Sequence, residues 1–293
     1  MDKMVLIDGN AIIHRAYHAL PPLKNKQGQL VNSVYGFASL LLKVIRELEP
    51  KYFICAFDLA GPTFRQKQFK EYKAKRVKPP QELYDQIPQV KELVRAFNIQ
   101  IYEKEGWEAD DVIGTIAQKT EDKKNIENII VSGDLDTLQL VTPLTKVYFL
   151  RGGIKEAVLY DEEGVFERYQ LKPEQIIDLK GLQGDASDNI PGVPGVGQKT
   201  ALDLLQKYQD INRLYEKIEE ADDISPRIKT KLLEYKDQAF LSQDLATIRK
   251  NVSLGFKLED CLWQDFSRKK IIHLFEELGF RSLVNRLPEQ SML

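Results

Sequence analysis

The chain has 293 residues, 43% of them hydrophobic, and its 42 Lys and Arg nearly balance 44 Asp and Glu, leaving a net charge of −2. That length buries one large core or two modest ones. The two cysteines exclude a disulfide framework, and no Cys/His cluster has zinc spacing. No apolar run is long enough to span a membrane, and the first apolar run is too short for a signal peptide, so a reducing cytoplasm is the expected setting.

Residues 4–7 (Met4-Val5-Leu6-Ile7) form a short apolar run ending at Asp8-Gly9-Asn10, which predicts a buried strand and then a turn. Residues 32–48 place Val34, Phe37, Leu41, Val44, Ile45 and Leu48 at helical spacing. A second buried strand is expected over 52–57, closed by Asp58, with Cys55 as a small buried hydrophobe. Next comes a basic stretch: between Phe64 and Lys78 there are seven Lys and Arg against the single Glu71. An amphipathic helix over 82–97 and a short strand over 99–102 follow. At Gly106-Trp107-Glu108-Ala109-Asp110-Asp111, three carboxylates fall within four residues, directly before Val112, Ile113, Ile116 and Ala117. This is the first turn of a helix, with Glu108 and Asp111 on one face and Asp110 about a hundred degrees round from Asp111. Acidic residues also favour helix N-termini for capping and dipole reasons, so this feature alone is ambiguous.

A third strand is expected over 127–132, ending at Gly133-Asp134-Leu135-Asp136, and paired strands over 147–150 and 157–160 across Arg151-Gly152-Gly153. Strands alternating with helices predict an α/β fold with a largely parallel sheet over 1–165, whose sites gather beyond the carboxyl ends of the strands. Beyond about residue 161 the strand signal disappears. Helices are expected over 172–182, 200–208, 228–236, 237–247 and 268–278, in an all-α domain over 166–293 that ends in a tail over 288–293.

Asp8, Asp58, Glu108, Asp110, Asp111, Asp134, Asp136, Asp185 and Asp188 all fall at strand ends or loop corners. Carboxylates ~4 Å apart repel by about 4 kcal/mol per pair at an effective dielectric of 20. Converging carboxylates therefore keep protons or hold cations. All-oxygen donors select Mg²⁺ or Mn²⁺ and suit two-metal phosphodiester hydrolysis. Other readings stay open for single members: Asp8-Gly9-Asn10 and Gly133-Asp134 also read as turns, and Asp185 and Asp188 as helix caps. An EF-hand is excluded by spacing. A phosphatase using Asp8 as nucleophile competes, but does not need so many carboxylates.

Pro191-Gly192-Val193-Pro194-Gly195-Val196-Gly197-Gln198-Lys199-Thr200-Ala201 is a glycine hairpin opening onto a helix, whose free N–H groups favour a phosphate while Lys199 adds a cation. It matches neither a Walker A loop nor a dinucleotide fingerprint. In the basic stretch, Phe64, Phe69 and Tyr72 interleave with the cations, a pattern that holds single strands without sequence preference; a solvated amphipathic helix is the bland alternative.

Taken together, Val5-Leu6-Ile7-Asp8-Gly9, Phe57-Asp58, Phe64-Arg65, Tyr72-Lys73-Ala74-Lys75-Arg76, Glu108-Ala109-Asp110-Asp111, Ser132-Gly133-Asp134-Leu135-Asp136, Gly184-Asp185-Ala186-Ser187-Asp188-Asn189 and the hairpin resemble the 5′-nuclease domains of bacterial DNA polymerases I, in the flap endonuclease superfamily. The resemblance covers essentially the whole chain. It implies a twisted, mostly parallel PIN-like or Rossmann-like sheet flanked by helices, a helical arch over about 61–85, and a helix-three-turn-helix domain carrying the hairpin at 191–201. It also implies Mg²⁺-dependent removal of 5′ flaps and 5′-terminal nucleotides from DNA, with Mn²⁺ as substitute, in primer removal and repair.

By the same resemblance, Asp8, Asp58, Glu108, Asp110 and Asp111 belong to a first metal region, and Asp134, Asp136, Asp185 and Asp188 to a second. Arg15, Arg65, Lys73 and Arg76 engage substrate phosphates, Lys73 and Arg65 stabilising charge at the scissile one, and Tyr72 stacks on an unpaired base. Gly192, Gly195, Gly197, Lys199 and Thr200 hold duplex backbone, around a K⁺ ion. The expected partners are flap or junction DNA, RNA primer–DNA hybrids and a DNA polymerase in the same chain or in trans. The expected protein is a monomer in the bacterial cytoplasm, at the nucleoid. Two rival functions remain at this point: a non-catalytic DNA-junction binding module and an RNA-directed ribonuclease.

Overall fold

The computed structural model describes residues 1–288 except Lys124, Ile154, Lys155 and Asp265, so the expected tail lies outside the described residues from position 289 onward. In chain order the elements are β1 (Asp2–Asp8), α1 (Gly9–Ala19), α2 (Asn32–Leu48), β2 (Tyr52–Ala56), α3 (Phe64–Gln68), α4 (Gln81–Tyr84), α5 (Ile87–Ala96), β3 (Gln100–Tyr102), α6 (Ala109–Glu121), β4 (Ile126–Ser132), β5 (Thr145–Arg151) and β6 (Glu156–Tyr160). Then come α7 (Glu162–Tyr169), α8 (Ile176–Gln183), α9 (Gln198–Tyr208), α10 (Ile211–Lys217), α11 (Pro226–Glu234), α12 (Lys236–Ala246), α13 (Arg268–Leu278) and α14 (Arg281–Val284).

The strands form one sheet in the order β3-β2-β1-β4-β5-β6, parallel except for β6. Helices cover both faces, which is why the strands read as continuous apolar runs. Val5 and Ile7 of β1 enter a core shared with Phe37 and Leu41 of α2 and Leu93 of α5. Met4 and Leu6 enter the opposite core, with Ile113 and Ile116 of α6. The chain first builds outward from β1 to β3, then returns through α6 to place β4 on the other side of β1. The strand order thus reverses between β1 and β4, and the crevice beyond their carboxyl ends is where such sheets bind ligands.

The α/β sheet and helical second half agree with expectation; several details differ. Asp8 does not open a simple turn. Its side chain caps α1, accepting from Ala11 N–H at 3.0 Å, and Gly9 is required because a Cβ there would stand 2.3 Å from the Phe57 ring. The helix expected over 82–97 is broken into α4 and α5. Pro88 sits in the first turn of α5, where a missing N–H costs nothing, and the buried Gln86 side chain fills the break by accepting from Ser33 N–H and donating to Glu82 O. Helices α7 and α10, each capped by an aspartate (Asp161 and Asp210), were not anticipated.

The expected all-α domain over 166–293 is not one packing unit. Its own core gathers side chains from Leu171 to Ala239. Phe266, Ile271, Phe275, Phe280 and Leu283 instead close the sheet-domain core beside Leu93 and Phe97. The physical reason is area: α2 and α5 leave part of that face open, and the apolar stripe of α13 covers it. No described helix is long and apolar enough to cross a membrane.

Candidate active site

Three strand ends and one helix N-terminus converge on a cleft of about 260 Å³, lined by the carboxylates of Asp8, Asp58, Glu108, Asp110 and Asp134 together with Asn10, His14, Lys73 and Arg76. Asp8 ends β1; besides Ala11 N–H it accepts from Ser132 Oγ at 3.0 Å. The same hydroxyl accepts from Asp134 N–H at 3.1 Å, so Ser132, the last residue of β4, registers two carboxylates at the switch point. Asp58 follows β2; its N–H donates to Asn10 Oδ1 at 3.0 Å and its carboxylate accepts from Ala109 N–H at 2.7 Å. Hydrogen bonds to backbone N–H groups and a hydroxyl orient these carboxylates without cancelling their charge.

Glu108 caps α6 in a reciprocal box with Asp111 and accepts from Lys73 Nζ at 2.9 Å, Tyr72 OH at 3.1 Å and Arg65 at 3.3 Å. Asp110, two residues on, has a buried Oδ1 with no hydrogen-bond partner. Burial above all, then repulsion from Asp111, pushes its pKa well above the ordinary carboxylate range. Burial likewise raises Asp8 to about 7 against the pull of Ala11 N–H, and raises Asp58, although the latter still meets solvent at the cleft mouth.

The other four expected carboxylates are elsewhere. Asp111, 0% exposed, turns away from the cleft into a bidentate pair with Arg65 (2.8 and 2.8 Å) and also accepts from Arg249 N–H at 2.8 Å. Asp136 and Asp185 share the Lys180 ammonium, which stands 2.6 Å from Asp136 Oδ1. Burial and the charge of Asp134 raise Asp136 to about 7. Burial would raise Asp185 as well, but the Lys180 and Ser187 hydrogen bonds outweigh it and hold it below its usual range. Asp188 is bound by Arg76 and by Tyr72 OH at 3.2 Å, with Lys73 Nζ 3.7 Å away.

Two of the expected DNA-contacting side chains are withdrawn from solvent. Arg65 is 1% exposed and spends its remaining donors on Leu245 O (2.9 Å) and Thr247 O (2.8 Å), leaving none for a phosphate. Tyr72 is 3% exposed, so its ring is not free to stack on a base; its hydroxyl links Glu108 to Asp188. The expected arch is therefore clasped at its root. Lys73 N–H donates to Asp188 O at 2.8 Å and Asn189 Nδ2 to Glu71 O at 2.8 Å, with Lys73 held at φ +57°, a strained conformation for a side-chain-bearing residue.

Arg15 lies beside the cleft, its guanidinium donating to Gly133 O at 2.9 Å. It lines a second cavity of about 640 Å³ with His14, His18, Asp134 and the Gly152-Gly153 turn. In the hairpin, Gly192 has φ +60° and approaches Gly184 so closely that a Cβ would stand 2.2 Å from its nitrogen. Gly195, at φ +87°, faces open space, and Gly197 precedes α9 with no side chain capping the free N–H groups, leaving Lys199 exposed beside them. The sequence reading missed Asn10, His14, Ser132 and Lys180. Ser132 and Asn10 flank strand-end aspartates, a usable signal; Lys180 carried none.

Among the described residues, no three carboxylates, histidines or cysteines stand in a geometry that holds an ion by themselves. The donor set still fits a hard divalent cation that keeps part of its water shell, and the orphaned Asp110 oxygen is the buried acceptor such a cation would satisfy. A pH signature follows. Asp8 and Asp136 sit near 7 when folded against 3.8 for the free side chain, so the metal-free fold holds protons that the unfolded chain has released. Its stability therefore falls as pH rises from about 4 to 7. A divalent cation bound there would take over from those protons, so the rise in melting temperature on adding Mg²⁺ should be larger at pH 8 than at pH 5.5. A Mg²⁺ effect independent of pH across this range would contradict the assignment.

Comparison with known proteins supplies the family. Residues 3–170 match the model of the 5′-3′ exonuclease N-terminal resolvase-like domain, and residues 171–269 that of the 5′-3′ exonuclease C-terminal SAM fold. Over 99% of its length the chain is 46% identical to DNA polymerase I of Bacillus subtilis (strain 168) and 43% identical to that of Bacillus caldotenax. It spans about a third of those relatives, 32% and 33% of their lengths. A bacteriophage T5 5′-exonuclease with bound divalent zinc has the same fold (TM-score 0.69, 19% identity, covering 94% of this chain and 99% of that one). So does the catalytic core of Rad2 in complex with DNA substrate (TM-score 0.63, 16% identity, covering 95% and 88%). With both domain models matched in order along one chain, and with the cleft at the sheet's switch point, this chain belongs to the 5′-3′ exonuclease family.

Proposed function

We propose that this domain is a structure-specific 5′ nuclease that hydrolyses DNA phosphodiesters at 5′ ends and 5′ flaps using Mg²⁺, with Mn²⁺ as substitute. The observation that carries the reading is the convergence of five carboxylates, one of them with an unpartnered buried oxygen, on a cleft edged by Lys73 and Arg76. Asp8, Asp58, Glu108, Asp110 and Asp134 would hold a first ion and Asp136 with Asp185 a second, water completing both shells. Bound divalent ions supply activation of the attacking water and neutralisation of the leaving oxygen.

The chain's own part is positioning and charge. Lys73 and Arg76, now bonded to Glu108 and Asp188, exchange those carboxylates for oxygens of the incoming phosphodiester. Arg15, beside the adjoining cavity, engages the backbone of the same strand. The hairpin N–H groups with Lys199 and Thr200 hold duplex backbone, and a K⁺ ion among the hairpin carbonyls would suit that role. Arg65 and Tyr72 act from beneath, fixing the arch root to α6 and to the 185–189 loop. Structures of a T5 flap endonuclease with DNA and metal ions and of Rad2 with DNA support this reading. The polymerase I relatives, of which this chain spans about a third, support a polymerase in the same chain or in trans as partner; RNA primer–DNA hybrids among the substrates and action as a monomer at the bacterial nucleoid belong to the same proposal.

The test is cleavage mapping on a 5′-labelled DNA flap and its all-RNA counterpart. Cuts at the junction of the DNA flap are expected. Cutting of the RNA flap alone would favour an RNA-directed ribonuclease, and tight binding without cutting a junction-binding module; either would overturn the proposal. Within it, Lys73→Ala should lower cleavage by on the order of 10²-fold while duplex affinity changes less than about twofold. Lys199→Ala should instead weaken binding and reduce the slope of log affinity against log salt by about one. Equal losses by both variants in both assays would contradict this division of labour.

A further inference from the structure

We propose that Lys180 is a resident cation of the second carboxylate pair, so that a divalent ion reaches Asp136 and Asp185 only by displacing its ammonium and the domain loads its two ions in unequal steps. The inference rests on the metal-nuclease reading above and goes beyond it by naming what opposes the second ion. Lys180 stands on α8, the helix that leads into the 185–189 loop. Its ammonium meets Asp136 Oδ1 at 2.6 Å and also bonds Asp185, bridging the segment after β4 to the loop after α8. Each of the three side chains is less than one-fifth exposed, so water screens the bridge poorly.

The contrast with the first cleft is chemical. There Asp8 and Asp58 accept from backbone N–H groups and a serine hydroxyl, which orient their oxygens and leave the charge available to a cation. At the second pair the charge is already met by a side chain of the protein itself. An ammonium and a divalent ion cannot share those oxygens at ligand distance without mutual repulsion, so occupancy by one excludes the other. The four-carbon stem lets Lys180 swing aside without unwinding α8. The first ion thus meets side-chain cations at Glu108, which Lys73 and Arg65 hold, but can enter through Asp8 and Asp58, whereas the second must break two charge-assisted hydrogen bonds before it reaches either of its carboxylates.

The experiment is calorimetric titration of the DNA-free chain with Mn²⁺, for the parent, Lys180→Met and Lys180→Arg, with folding verified by circular dichroism and Lys180→Gln used if the Met variant does not fold. Asp110→Asn identifies the first event by abolishing it. The parent should show a second event weaker than the first. In Lys180→Met that second event should tighten by at least about tenfold, with the first unchanged and Lys180→Arg resembling the parent. A first event with an unchanged or weakened second event in Lys180→Met would overturn this proposal alone. No Mn²⁺ uptake by any variant would overturn it together with the metal-nuclease reading.

Discussion

Replacing Asp110 with Asn is expected to cut DNA cleavage by on the order of 10³-fold or more, and to stabilise the metal-free fold at the same time. Both effects have one origin. Asp110 lines the cleft and carries a buried, unpartnered oxygen, and burial followed by the neighbouring Asp111 disfavours its charged form. A carboxylate kept in that state is unfavourable for folding and useful for holding a cation. Asn keeps the shape and removes the charge. Because the folded-state pKa is raised, the parent loses stability as pH climbs above the unfolded value; the variant is spared the Asp110 share of that loss and keeps the share due to Asp8 and Asp136. In EDTA at pH 8, the variant should melt roughly 2–6 °C above the parent, from about 1–3 kcal/mol of relieved burial cost. Adding Mg²⁺ should raise the parent's melting temperature clearly more than the variant's, which keeps only the Asp136–Asp185 pair. A variant that cleaves normally would remove Asp110 from the site; one that melts lower in EDTA would show that its oxygen has a partner after all.

The second large effect concerns Arg65 and Asp111. Each is essentially inaccessible, and together they join α3, α6 and the backbone around residues 245–249. Breaking a buried, fully hydrogen-bonded ion pair leaves the surviving charge without compensation, so Arg65→Ala and Asp111→Ala should each destabilise by about 3–5 kcal/mol. Removing both should cost clearly less than the two singles combined, because no stranded charge remains. Denaturant unfolding of the four proteins in EDTA supplies the cycle. Additive losses would mean that the pair is not a unit, and a near-neutral Asp111→Ala would return Asp111 to the set of candidate metal ligands.

The contrast between Asp110 and Asp111 shows where local reading of a sequence stops. Helical geometry put about a hundred degrees between them, but nothing nearby said which direction was the cleft. That depends on Leu245, Thr247 and Arg249, more than 130 residues along the chain, which close over Arg65 and Asp111. Asp8, Asp58 and Asp134 were legible for the opposite reason. Each ends or follows an apolar run that can only be a buried strand, and parallel sheets expose their carboxyl ends at one edge. Tyr72 and Arg65 read as DNA contacts because alternating aromatic and basic residues suit a single strand, and tertiary burial overrode that composition. The stripe on α13 was likewise visible as a helix, while its partner on the far face of the sheet was not.

If the cleft carboxylates hold divalent ions in order to cut DNA, cleavage must follow the ion. The decisive assay takes the unaltered chain and a 5′-labelled DNA flap through three conditions: Mg²⁺, excess EDTA, and Mg²⁺ restored after EDTA. Cutting near the junction is expected in the first, none in the second and recovery in the third. Cutting that persists undiminished in EDTA, or none at all with Mg²⁺ or Mn²⁺ on a flap that is bound tightly, would contradict it.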